Sequence, residues 1–210
     1  TNYGGGTFVT NALGSQLVDP LVTLLDDSPD SYLDFLEFRS ELEGAAAELA
    51  ARHATRHDLE ILNTVFDEMM RAHAERDSDR EAQLDIQFHT AIIEASHNVV
   101  FATIARALYG VLWRGISDSR KQVCVRRDVD EALVEQHRRI RDAILSEDPP
   151  LARRCMVDHL RFVREAVEAE AETRRRESAA ARRLEVLREE LGGTLQSWPI
   201  ADRPEADRSD

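Results

Sequence analysis

Lysine is almost missing from this chain: every one of its 27 basic residues except Lys121 is arginine. We read that bias as the imprint of a G+C-rich coding sequence and draw no function from it. Cysteine is equally scarce. Cys124 and Cys155 lie in apolar surroundings without CxxC spacing, which excludes a disulfide scaffold and fits a reducing, cytoplasmic setting. No apolar run approaches the ~18 residues that a bilayer span requires, and the start, Thr1-Asn2-Tyr3, has neither a basic patch nor a signal-like apolar stretch. The expectation is therefore neither membrane insertion nor secretion. Positive charge is also in deficit, with a net charge of -13, so this stretch is not expected to grip phosphates by itself. What remains is a globular composition, 210 residues with 42% hydrophobic, enough for one or two domains with a sizeable core.

The first 31 residues hold no basic residue, and Gly4, Gly5, Gly6 and Gly14 with Pro20 and Pro29 mark them as turn and linker material. From Ser31 to about Leu191 the apolar spacing is helical. The expected fold is all-α, an antiparallel bundle of six or seven helices. The first runs from about Tyr32 to His53 with Phe35, Leu42, Ala46 and Leu49 on one face, and the second from about Thr55 to Glu75. The third, about Asp79 to Ser96, ends at His97-Asn98, a pair suited to a C-terminal turn. The fourth starts near Val99 with Phe101, Ile104, Leu108, Val111 and Leu112 inward, which puts Trp113 on the opposite face as a partner surface. The fifth covers about Val129 to Ser146, and Asp148-Pro149-Pro150 opens a sixth that continues towards Glu172. Beyond Arg174, the seam of Leu184, Leu187 and Leu191 belongs to a seventh helix or a solvated one, followed by Gly192-Gly193 and a tail.

The informative residues are ionisable groups where a Leu would be expected. On the third helix, Asp85 and His89 stand one turn apart on the shoulder of the stripe Leu84, Phe88, Ala91, Ile92 and Ala95, so both reach one point. On the fifth, His137 falls between Leu133 and Ile140, and on the sixth His159 falls among Leu151, Cys155, Phe162 and Ala166. A single inward histidine is usually a core residue bonded to a carbonyl. Three helices each aiming such a group inward favour a shared cation, because burying an Asp and three imidazoles unpaired is costly. One carboxylate oxygen and three imidazole nitrogens suit Zn²⁺, with Ni²⁺ or Mn²⁺ as alternatives, and leave positions open for water or a ligand oxygen. Arg39 falls at the centre of the first helix's stripe, and a guanidinium there needs an anion: either Glu43, one turn on, or a bound ligand.

These residues resemble a known family. Leu36-Glu37-Phe38-Arg39 with Leu42-Glu43, Asp85-Ile86-Gln87-Phe88-His89 with Ser96-His97-Asn98, Glu135-Gln136-His137-Arg138-Arg139-Ile140 and Asp158-His159-Leu160 are similar to the FCD ligand-binding domain of FadR-type regulators in the GntR family. The resemblance covers Tyr32 to about Ala171. It implies a helical bundle around a metal and effector pocket, with Asp85, His89, His137 and His159 as metal ligands. Gly4-Gly5-Gly6-Thr7-Phe8-Val9 resembles the wing that closes the family's winged helix-turn-helix domain, whose DNA-reading helices are absent from the chain. The expected organisation is the end of a wing over 1–10, a linker over 11–30, an effector-binding and dimerisation domain over 31–173 and a helical extension with a tail over 174–210.

By this resemblance the chain is not an enzyme. It is the effector domain of a cytoplasmic, homodimeric transcription regulator, with operator DNA held through the absent domain. The effector is expected to be a small carboxylate that coordinates the metal and pairs with Arg39. Two alternatives stay open on the residues alone: a metal-dependent hydrolase or lyase with water on the same ion, and a regulator for which the metal itself is the signal.

Overall fold

Three helix starts carry side-chain caps that are legible in the sequence. Thr55 and Asp58 form a reciprocal capping box ahead of one helix, the Asp77 side chain accepts from the Arg80 amide at the next, and Asp148 accepts from the Leu151 amide at 3.0 Å just before Pro149-Pro150. The structure, a computed structural model, describes residues 29–109 and 127–191. The described residues form six helices and no strand: α1 (Pro29–His53), α2 (Arg56–Glu75), α3 (Ser78–Ala95), α4 (residues 99–109), α5 (Arg127–Leu145) and α6 (Pro149–Glu190). The all-α expectation holds. Turns of two or three residues join α1 to α2, α2 to α3, α3 to α4 and α5 to α6, which makes each pair antiparallel neighbours. Arg76, His97 and Glu147 take left-handed backbone in three of these turns, so the turn expected at His97-Asn98 is present.

The wing-like Gly4–Val9, the linker up to residue 28, Val111, Leu112, Trp113, Cys124 and the Gly192-Gly193 tail lie outside the described residues, and Pro29 and Asp30, expected in the linker, open α1 instead. The residues expected as a seventh helix continue α6 without a break to Glu190. The described residues divide into two units that meet at Glu170 and Ala171. In the second, Leu184, Val186, Leu187 and Leu191 are exposed.

In the first unit the main core gathers Leu62, Phe66 and Met69 of α2, Phe88 and Ile92 of α3, Ile140 and Ile144 of α5, and Met156 and Leu160 of α6. Two expected stripes are displaced. On α1 the buried line is Phe35, Leu36, Arg39, Glu43, Ala46, Ala47 and Ala50, so Phe35 and Ala46 of the expected stripe are buried while Leu42 and Leu49 are only half-buried. On α4, Ala102, Ala105, Leu108 and Tyr109 are buried and Ile104 is 39% exposed. The cause is the same in both. These helices pack through alanine, whose small side chain permits close approach and is easily passed over when large apolar residues are sought. Gly44 marks a close approach of α1 to α6: a Cβ there would stand 2.8 Å from Val157 Cγ2.

Candidate metal centre

Four helices converge on the polar interior. α3 contributes Asp85 and His89, α5 contributes His137, α6 contributes His159 and α1 contributes Arg39 and Glu43. All six are buried. One nitrogen from each of His89, His137 and His159 lies within 4.8 Å of the other two. The imidazole centroids stand 4.5 to 5.6 Å apart, and rings gathered on one ion at bonds of ~2.1 Å have centroids about 5 Å apart. Asp85 Oδ1 lies 3.1 Å from His137 Nε2. The structure therefore brings the three His together from three separate helices, with Asp85 beside the cluster through its contact with His137 and outside the group of three mutually close donors.

The hydrogen bonds behind the rings fix which nitrogen faces inward. His89 Nδ1 donates to Glu43 Oε2 at 2.5 Å, which leaves Nε2 with its lone pair, and that atom is buried with no hydrogen-bond partner. His159 Nδ1 donates to Gln136 Oε1 at 3.0 Å, so its Nε2 also faces inward as an acceptor. A carboxylate or amide oxygen behind a ligating imidazole is the usual means of setting tautomer and ring orientation at a metal. Burial, reinforced by the other two histidines, pushes the His159 pKa well below 6.5, so its ring is neutral at pH 7, the form that binds metal. The residues present thus fit a divalent transition ion on donor type, tautomer and charge.

Sequence reading missed the reach of Glu43. It had named this residue only as a partner for Arg39, and Arg39 Nε does donate to Glu43 Oε1, at 2.6 Å. The same carboxylate also accepts from His89 and from the Tyr109 hydroxyl. Burial acts to raise the Glu43 pKa, but the charge of Arg39 and the bonds from His89 and Arg39 outweigh it and hold it at about 2. Arg39 stays charged, held well above its ordinary value by Glu43 despite its burial, and its guanidinium sits 5.4 Å from the Tyr109 ring centre. Glu43 thus joins guanidinium, phenol and histidine cluster into one buried network. An inward Glu next to an inward Arg signals a pair from sequence, but contacts reaching 46 and 66 residues along the chain do not show.

Among the described residues no helix is long and apolar enough to cross a membrane. Residues 34–162 match the FCD domain. The chain is 38% identical over 164 residues to the putative L-lactate dehydrogenase operon regulatory protein of Escherichia coli (strain K12), covering 76% of this chain and 62% of that protein. It is 32% identical over 153 residues to the Glc operon transcriptional activator of the same strain, covering 71% and 60%. The chain thus spans less than two thirds of the length of these curated relatives, which are regulators and not enzymes. A solved structure of Streptococcus agalactiae GntR superposes with a TM-score of 0.54 at 24% identity, covering 75% of this chain and 66% of that one, and shares the fold. With the domain match spanning most of the helical body and the relatives agreeing with it, the chain belongs to the FCD domain family of GntR-type regulators.

Proposed function

We propose that this chain is the effector-sensing part of a transcription regulator, in which a small organic acid is recognised between the histidine cluster and Arg39. The observation that carries this reading is Glu43, a buried carboxylate bonded on one side to Arg39 and on the other to His89. Asp85, His89, His137 and His159 would hold one divalent ion, with zinc the best fit to the donor set. When bound, that ion supplies a Lewis-acidic centre for carboxylate or hydroxyl oxygens. The charge balance favours an anion: a divalent ion and Arg39 outweigh Asp85 and Glu43 by one positive charge, with the histidines neutral. Arg39 orients the acid through its planar fork, and Glu43 keeps the guanidinium and the His89 ring in register.

The relative named for the L-lactate dehydrogenase operon makes L-lactate the first acid to try, with pyruvate, malate, citrate and gluconate beside it. Regulation follows from differential affinity of the acid for two arrangements of a homodimer and its attached operator-binding domains, in the cytoplasm, without turnover. In calorimetric titration of the zinc-loaded chain, at least one of these acids binds. Arg39→Lys weakens that binding on the order of tenfold although charge is kept. Equal binding by Arg39→Met, with the zinc still in place, would make Arg39 purely structural.

A further inference from the structure

A second set of metal-type donors lies outside this network. His73 near the end of α2, Glu81 in the first turn of α3 and Asp130 in the first turn of α5 each offer one ligand atom within 4.8 Å of the other two. His73 Nδ1 is 3.3 Å from Glu81 Oε1 and 3.3 Å from Asp130 Oδ2. Glu81 is buried, with its side chain 8% exposed, and Asp130 Oδ1 is buried with no hydrogen-bond partner.

Hydrogen bonding alone accounts poorly for this arrangement. A single Nδ1–H points along one direction and satisfies one acceptor well, and the bond it makes is to Glu81. Asp130 is then held against the same nitrogen, beside a second carboxylate that repels it, with one buried oxygen unserved. One imidazole nitrogen and two carboxylate oxygens are donor types that a divalent ion takes. The spacing is also that of ligands and not of strong hydrogen bonds, because donors around a tetrahedral zinc at ~2.0–2.1 Å stand about 3.3 Å apart.

We propose that His73, Glu81 and Asp130 hold a second divalent cation, zinc being the best fit, which ties the start of α5 to α2 and α3. Asp130 stands two helical turns before His137 on α5, and Glu81 one turn before Asp85 on α3, so this clamp fixes the two elements that carry donors of the first site. Two carboxylate donors offset its charge more than the single carboxylate of the first site, and the ion serves architecture.

The test is a metal count on tag-free protein, stripped with EDTA, reloaded with zinc and desalted. Wild type retains two zinc ions per chain, His73→Ala and Asp130→Asn one each, His159→Ala one, and His73→Ala/His159→Ala none. Wild type with a single zinc that survives His73→Ala and vanishes in His159→Ala overturns the second site. So does a count of two that neither His73→Ala nor Asp130→Asn lowers. A single zinc lost in His73→Ala but kept in His159→Ala would instead remove the first site and leave this one standing. Circular dichroism verifies that each variant keeps its helices. Should His73→Ala unfold, Asp130→Asn, nearly the same in shape, and the wild-type count decide the matter.

Discussion

The two histidine-bearing clusters share α3 and α5 yet are built on opposite principles. The inner one has three imidazoles and one carboxylate, all buried, with Glu43 and Gln136 bonded behind the rings. The outer one has one imidazole and two carboxylates, and His73 and Asp130 are partly exposed. Neutral donors leave a divalent ion's charge largely uncancelled, and burial strengthens its field. Anionic donors cancel it. The first arrangement suits a site that must attract an acid, the second one that must only hold helices together.

The widest gap between the clusters is expected at Glu43. Glu43→Ala leaves Arg39 buried without its anion and frees the His89 tautomer, and breaking such a buried pair costs about 3–5 kcal/mol. Chemical denaturation should show that loss in metal-free protein, and a change below 1 kcal/mol would mean that Glu43 is replaceable by water. Gln136→Ala is a gentler probe. Removing the oxygen behind His159 should weaken zinc at the inner cluster about 10- to 100-fold while leaving the outer one untouched, as read by competition with a fluorescent chelator.

Acidity separates the clusters by slope. Three imidazoles must be neutral to bind metal at the inner site and only one at the outer, so zinc affinity should fall more steeply with falling pH at the inner site. The metal-free fold is expected to weaken in the same direction. The His159 pKa is lowered in the folded state, so the unfolded chain takes up that proton first, and the stability present above about 6.5 is lost as pH falls below it. Glu43 adds a second loss at lower pH, because stability present above its ordinary value of 4.5 fades as pH approaches about 2. Thermal melts that stay flat from pH 8 to 4 would contradict the His159 sign, and melts that stay flat from pH 4.5 to about 2 the Glu43 sign. The smallest effect is expected far from either cluster: Leu184→Ala, in an exposed stretch of α6, should shift stability by no more than about 0.5 kcal/mol.

The inner cluster was legible because its members stood in or beside apolar stripes whose period was plain: Asp85 and His89 one turn apart on the shoulder, His137 between Leu133 and Ile140, His159 among Leu151, Cys155, Phe162 and Ala166. Helix existence followed from the apolar period and the start of α6 from Asp148-Pro149-Pro150, whereas α1 starts at Pro29, ahead of the Asp30 or Ser31 N-cap that its sequence suggests. The alanine-lined faces of α1 and α4 were misjudged because closeness of approach, and not side-chain size, decided burial there. The outer cluster was hidden for another reason. Glu81 and Asp130 lie in first helical turns, where acidic residues are favoured by the helix dipole whatever else they do, so nothing in the sequence set them apart. Glu43 gave half its role away, since an Arg four residues earlier announces a pair but not a histidine on another helix.

The central claim is that acid recognition depends on the ion held by Asp85, His89, His137 and His159. L-Lactate and the other acids should be titrated by calorimetry into one preparation of the chain twice, once loaded with zinc and once stripped with EDTA and dialysed. At least one acid should bind the loaded protein, with no measurable heat in the stripped one and recovery when zinc is returned. An acid that binds both forms with the same affinity would show that the histidine cluster takes no part in sensing.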